Sequence, residues 1–316
     1  MSGGPVMLGV EGLALTGGDR ARLLDPRVGG VILFARNFES SDQLRALTAA
    51  IRGVRSQLLI AVDHEGGRVQ RFRADGFSAL PPMRTLGEQW DVDPLAANEA
   101  AFRHGATIAR ELRAHGVDFS FTPVLDLDHG ASAVIGDRAF HADPVIVADL
   151  AGALLRGLRA GGAPGVGKHF PGHGYVAADS HVDMPVDPRP LDEILRTDIV
   201  PFAALMQQGL EAVMPAHVVY PAVDARPAGF SPVWIGDILR GRLRFDGLVF
   251  SDDLEMAGAH SAGDIVARAD AALAAGCDVV LVCNDFGAMD DLLARWTPPA
   301  QPALERRLAP MAGHQA

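Results

Sequence analysis

The stretch Leu58-Leu59-Ile60-Ala61-Val62-Asp63, followed at once by His64-Glu65-Gly66-Gly67-Arg68, holds the key to the chain. Five apolar residues stand in a row without polar alternation, and the run stops at charge and glycine. An unbroken apolar run of this length predicts a parallel strand covered on both faces, since a strand with one wet face would alternate. Seven more runs of the same kind occur: Pro5–Val10, Gly30–Ala35, Phe119–Asp126, Gly165–Phe170, Ala212–His217, Gly247–Asp252 and Val279–Asn284.

Helical periodicity fills the intervals. Ser40–Arg55 opens with Ser40 and Gln43 in capping-box spacing, and Leu95–His115 repeats Ala, Ile and Leu every three or four residues. Asp143-Pro144 reads as an N-cap and first helical residue, starting a helix to about Gly161. Further helices are predicted over Leu191–Gly209, Pro232–Leu243 and Ala262–Gly276. Strand–helix alternation implies right-handed crossovers in a parallel sheet. Eight such strands predict an α/β fold, a single (β/α)8 TIM-type barrel spanning residues 1–316 with no second domain. A doubly wound open sheet is the competing architecture. The Glu65-Gly66-Gly67-Arg68 turn has the wrong spacing for a dinucleotide or phosphate loop. No Pro/Ser-rich linker and no fixed-period repeat interrupts the pattern. Two long connections, Phe72–Pro94 and Pro171–Arg189, are expected at the C-terminal face, where barrels place their active sites.

The 316 residues are 48% hydrophobic, enough for a large core. Acidic residues outnumber basic ones 39 to 28, and no long Lys/Arg run exists, which argues against nucleic acid and anionic membranes as partners. No apolar run reaches the length of a membrane span, and the N-terminus lacks the pattern of a signal peptide. The expectation is a cytoplasmic monomer. Cys277 and Cys283 are expected as buried free thiols of a reducing compartment.

Polar side chains collect where the predicted strands end: Asp63 after the third, Asp126 and Asp128 after the fourth, Lys168 and His169 on the fifth, His217 after the sixth, Ser251-Asp252-Asp253 on the seventh and Asn284 after the eighth. A strand must end in something polar, but charge at so many consecutive ends points to a site. Such a ring suits a neutral, hydroxyl-rich ligand, since carboxylates accept from hydroxyls while Lys and Arg donate to them. Cleaving a glycosidic bond takes one group to attack or stabilise the oxocarbenium-like centre and one acid for the leaving oxygen. Asp252 is a candidate nucleophile. Asp253 would face the other way if the pleat persists, and the pattern alone does not choose between them. His181, with Asp179 two residues earlier, is the candidate acid; the alternative is a solvated surface histidine. A metal site built from His64, His169, His173, His181 and His217 is the rival chemistry. It is disfavoured because no His-x-His pair ends the first strand, where Val10-Glu11-Gly12 stands. No metal and no cofactor is expected.

Taken together, Lys168-His169-Phe170-Pro171-Gly172-His173-Gly174 with Asp179-Ser180-His181, the block Ala61–Arg71, Ile135-Gly136-Asp137-Arg138, Met214-Pro215-Ala216-His217 and Phe250–Met256 resemble the signature blocks of glycoside hydrolase family 3. More narrowly the chain is similar to the bacterial β-N-acetylglucosaminidases of that family. The blocks run in family order from about residue 5 to 285, and His64 and Glu255 are small departures. The resemblance implies Asp252 as the nucleophile of a retaining mechanism, His181 as acid/base and Asp179 as its partner. It implies that Asp63, Arg71, Arg138, Lys168 and His169 bind the N-acetylglucosamine unit. Many relatives draw a carboxylic acid/base from a second domain for which this chain has no room, and an imidazole near Asp252 avoids the repulsion of two close carboxylates. The implied substrates are muropeptides with N-acetylglucosamine on 1,6-anhydro-N-acetylmuramic acid, met in peptidoglycan recycling. The alternatives are a β-N-acetylglucosaminide phosphorylase of the same family and a non-catalytic sugar-binding barrel.

Overall fold

The computed structural model describes residues 3–176 and 184–312. Eight parallel strands lie side by side: β1 (Val6–Gly9), β2 (Val28–Leu33), β3 (Leu59–Val62), β4 (Phe119–Ser120), β5 (Val166–Phe170), β6 (Ala212–Pro215), β7 (Leu248–Asp253) and β8 (Val279–Val282). Their order, β4-β3-β2-β1-β8-β7-β6-β5, returns the last strand to the first, so the sheet is a nearly closed barrel with one seam between β4 and β5. Along the seam Val166 N donates to Thr122 O at 2.8 Å and Leu125 N to Lys168 O at 2.6 Å. All eight apolar runs therefore become barrel strands. The fourth is shorter than its run, because Pro123 has no N–H to give to a ladder.

Each strand buries both faces, which is why none alternates. Met7, Ile32, Ala61, Met214 and Leu281 point into the barrel, where Phe119, Phe121 and Phe250 meet with ring centroids 5.2–5.8 Å apart. Val6, Leu8, Val31, Val62 and Val280 point outward into the layer shared with the helices. Leu304, Leu308 and Met311, from the C-terminal segment, pack against the inner cluster. Burying a side chain of this size contributes about 1.5–3 kcal/mol.

The helices follow their punctuation. In α1 (Gly17–Leu24), Thr16 and Asp19 form a reciprocal capping box. In α2 (Ser41–Val54), Ser40 caps as expected, but the Gln43 side chain accepts from Glu39 N and not from Ser40, so only half of the anticipated box forms. The connection Phe72–Pro94 is less irregular than expected and contains α3 (Met83–Trp90). Asp93 caps α4 (Pro94–Ala114) and Asp143 caps α5 (Pro144–Ala160), each with proline in the first turn. The helix expected over Leu191–Gly209 is two, α6 (Leu191–Arg196) and α7 (Ile199–Gln207). Pro201 cannot donate to the carbonyl of Thr197, where a continuous helix needs that bond, and the chain breaks there. The segment Val233–Arg242 is wound as a π-helix. Gly276, left-handed at φ +114, ends α8 (Ile265–Ala275), and α9 (Phe286–Arg295) follows β8. Cys277 and Cys283 are buried free thiols. Among the described residues no helix is long and apolar enough to cross a membrane.

One contact recurs at the N-terminal end of the barrel. Asp118, Glu211 and Asp278 directly precede β4, β6 and β8. Each accepts the N–H of a residue at or next to the start of the preceding strand: Ile60 (2.8 Å), Gly165 (2.9 Å) and Val249 (2.8 Å). Each also pairs with an arginine from the last turn of the helical segment before that strand: Arg52 (2.6 Å), Arg159 (2.7 Å) and Arg240 (2.7 Å). Three carboxylates thus tie strand pairs and helices together at the end remote from the polar strand ends.

Candidate active site

A cavity of about 430 Å³ opens where the strands end. Asp63, Arg71, Arg138, Lys168, His169 and Asp252 all line it, so every site residue expected from sequence that falls among the described residues reaches one place. Asp179 and His181 lie outside the described residues.

Asp63 leaves β3 and the chain turns back as a short antiparallel hairpin, His64–Gly66 against Val69–Gln70. The turn needs Gly67: its φ is +55, and a methyl group there would lie 2.7 Å from Pro82 Cβ. His64 N donates to Ser120 Oγ (2.9 Å), fixing the hairpin against β4. Lys168, almost wholly buried on β5, donates to Asp63 Oδ1 at 2.7 Å and lies 2.8 Å from Glu65 Oε1. Arg71 Nη2 is 3.6 Å from Asp63 Oδ2. Burial works to raise the Asp63 pKa, but Lys168 and Arg71 outweigh it and hold the carboxyl below its usual range.

Glu65, one of the charged residues that follow the third strand but one to which the sequence assigns no role, is the hub of this half of the site. Arg138 grips it with two bonds, Nε to Oε2 at 2.9 Å and Nη2 to Oε1 at 2.8 Å. Burial pushes Glu65 up, but Arg138 and Lys168 pull harder and hold it ionised far below the usual glutamate range. Burial likewise works against the Arg138 charge, and Glu65 more than restores it. Asp126 plays the matching part for His169. It accepts from His169 Nδ1 at 2.6 Å and from His173 N at 2.7 Å. Desolvation raises Asp126, yet His169 leaves it lowered on balance. With Nδ1–H on Asp126, Nε2 of His169 is the nitrogen left for the cavity. The Lys168–His169 and Phe170–Pro171 peptide bonds are cis.

Both Asp252 and Asp253 line the cavity. The alternation expected along β7 fails because its register against β8 shifts between Phe250 and Asp253. Asp252 Oδ1 accepts the N–H of Asp253 at 2.8 Å. Asp253 Oδ1 accepts from Glu255 N at 3.1 Å, and burial, with Glu255 and Asp252 nearby, raises the Asp253 pKa. Glu255 in turn accepts from Asn284 N (2.8 Å) and Asp285 N (2.7 Å), tying the end of β7 to that of β8. Across the mouth, Arg36 Nη1 donates to Asn284 Oδ1 at 2.6 Å and its guanidinium stacks on Phe34, 4.6 Å from the ring centroid.

Among the described residues the other histidines take no part in the lining except His173. His64 packs its ring against Phe72 and Phe77, at 5.8 and 5.5 Å. His217 is fully buried beneath β7. Among the described residues no group of three or more His, Cys, Asp or Glu side chains is arranged to hold a metal ion. The cavity can grip a polar, uncharged ring through paired donors and acceptors while presenting a carboxylate, Asp252, to it.

Comparison with known proteins agrees with this geometry. The profile of the glycosyl hydrolase family 3 N terminal domain matches residues 9–295. A beta-hexosaminidase of Bordetella avium is 63% identical over 310 residues, covering 97% of this chain and 88% of that protein. One from Chromobacterium violaceum is 62% identical over 311 residues, covering 98% and 87%. The crystal structure of NagZ from Neisseria gonorrhoeae in complex with N-trifluoroacetyl-D-glucosamine superposes with a TM-score of 0.95 at 50% identity, over 100% of this chain and 92% of that one. By sequence and by fold the chain belongs to glycosyl hydrolase family 3 and is a glycoside hydrolase.

Proposed function

We propose that this chain is an exo-acting, retaining β-N-acetylglucosaminidase that releases terminal, non-reducing β-linked N-acetylglucosamine. The observation that carries the proposal is the convergence on one cavity of Asp252 with Asp63, Lys168, Arg71, Arg138 and His169. The names of the relatives support a hexosaminide substrate, and the sugar held by the neisserial protein supports an N-acylated glucosamine ring.

In this reading Asp63 accepts from the outer sugar hydroxyls, and Lys168, Arg71 and Arg138 donate to ring substituents. His169 presents Nε2, its other nitrogen being engaged by Asp126. Asp252 Oδ2 attacks the anomeric carbon as the glycosidic bond breaks, and His181, oriented by Asp179, gives its proton to the leaving oxygen. The same histidine then takes a proton from water, whose oxygen displaces Asp252 and restores the β configuration. The natural substrates are muropeptides ending in 1,6-anhydro-N-acetylmuramic acid. The enzyme works as a single-domain monomer in the cytoplasm, in peptidoglycan recycling.

The test is hydrolysis of 4-nitrophenyl N-acetyl-β-D-glucosaminide beside the matching β-glucoside, with chelator and without phosphate. Release from the N-acetyl substrate alone, with first-formed β-N-acetylglucosamine seen by NMR, is expected. First-formed α sugar, or dependence on phosphate, would overturn the mechanism.

A further inference from the structure

The Met214-Pro215-Ala216-His217 block has no part in the chemistry above. His217 follows β6, is fully buried and does not line the cavity. Its Nε2 lies 3.1 Å from the main-chain oxygen of Asp253. A carbonyl oxygen can only accept, so Nε2 carries the hydrogen. Nδ1 is buried with no hydrogen-bond partner. It faces Gly229, where an added methyl group would sit 3.4 Å away, and the Phe230 ring lies 5.2 Å from the imidazole. An apolar wall on that side leaves Nδ1 nothing to donate to. Desolvation lowers the His217 pKa and outweighs Asp252 and the Asp253 carbonyl, which work to raise it, so the ring is neutral.

Asp253 is the residue whose N–H holds Asp252 Oδ1, at 2.8 Å. It sits just past the slip in the β7 register, where the ladder reaches its peptide through Leu254 N, which donates to Leu281 O at 3.0 Å. Three further bonds hold it: Nε2–H of His217 and the N–H of Met256 (3.2 Å) on its carbonyl, and Glu255 N–H on its side chain. With Oδ1 engaged, Oδ2 is the Asp252 oxygen free to react. We propose that His217 is a positioning residue for glycosylation, clamping the Asp253 backbone so that Asp252 presents Oδ2 to the anomeric carbon. The inference rests on Asp252 being the nucleophile.

Two amides separate this role from simple packing. In His217→Gln the side-chain nitrogen falls near the place of Nε2 and can still reach the Asp253 carbonyl. In His217→Asn it falls near Nδ1 and cannot. The probe is a ring-fluorinated N-acetylglucosaminyl fluoride. Asp252 Oδ2 displaces fluoride from the anomeric carbon, and the slowly hydrolysed adduct is located by mass spectrometry. Turnover of the 4-nitrophenyl substrate and affinity for free N-acetylglucosamine are measured beside it. For His217→Asn the expected result is a labelling rate and kcat reduced by about 30-fold to 100-fold, the scale of a misplaced reacting group. KM and sugar affinity should stay within about threefold, and His217→Gln should recover to within about fivefold of the unaltered enzyme. Equal rates in both variants, whether intact or equally impaired, would overturn the positioning role. If one variant does not fold, the other decides: a slow Gln form or a fast Asn form overturns the role. A label on a residue other than Asp252 in the unaltered protein instead removes the mechanism beneath it.

Discussion

Glu65 holds Arg138 through both carboxylate oxygens, at 2.8 and 2.9 Å, and shares one of them with Lys168 at 2.8 Å. A buried anion therefore sets the position of two cavity cations without lining the cavity itself. Glu65→Gln keeps the shape and removes the charge. It should raise KM for the 4-nitrophenyl N-acetylglucosaminide about tenfold, equivalent to about 1.4 kcal/mol. It should also cost about 2–4 kcal/mol in urea unfolding, since both cations lose a buried partner. Unchanged KM in a destabilised variant would leave Glu65 a purely structural role.

Asp252→Ala should lower kcat by about 10⁴-fold or more while free N-acetylglucosamine still binds, because the lost group forms the bond to the sugar. His181→Ala should slow a poor leaving group by about 10²-fold to 10⁴-fold and a nitrophenolate much less, since only the former needs a proton. Equal losses on both substrates would count against the acid role.

Stability should fall on mild acidification, and His64 is a main cause. Both of its ring nitrogens are buried without a hydrogen-bond partner, and desolvation pushes its pKa down to about 3. The unfolded chain takes up a proton below the ordinary value of 6.5 while the folded protein does not. Stability from this group is thus complete above 6.5 and lost progressively as pH falls toward about 3. Between pH 7 and pH 5 the loss is about 2 kcal/mol by linkage. His64→Leu should flatten urea-unfolding stability over that interval by this amount. An unchanged slope would place the acid sensitivity elsewhere. Asp63, Glu65 and Asp126, all held below their usual range, add their own losses at lower pH, as each is protonated.

Glu211→Ala removes one of the three carboxylates at the N-terminal end of the barrel, with its bonds to Gly165 N and Arg159. A stability loss of about 2 kcal/mol is expected, with kcat and KM unchanged for the molecules that remain folded. A shift in KM would show that this end communicates with the cavity.

The barrel was legible because strands buried on both faces leave a signal of their own, as in Leu59–Val62. What escaped depends on partners distant in sequence or on single residues that interrupt a pattern. Pro123 shortens β4, Pro201 splits the helix expected over Leu191–Gly209, and the slip before Asp253 turns two adjacent carboxylates into one cavity. Glu65 and Asp126 act through Arg138, Lys168 and His169, so nothing local marks their part. Both stand among the polar residues at the strand ends, but the sequence assigns neither a role of its own. The short helix α1, low in apolar residues, gives little periodic signal.

The three carboxylate ties of Asp118, Glu211 and Asp278 sit at one end of the barrel and the reacting groups at the other. Heredity can therefore tune two quantities separately. Changes among the ties alter how many copies of the enzyme survive in folded form at a given temperature. Changes around the mouth alter how fast each surviving copy works and on what. A lineage moving to a warmer habitat could rebuild the first end without relearning its substrate, and one meeting a new sugar could redraw the second without losing its footing.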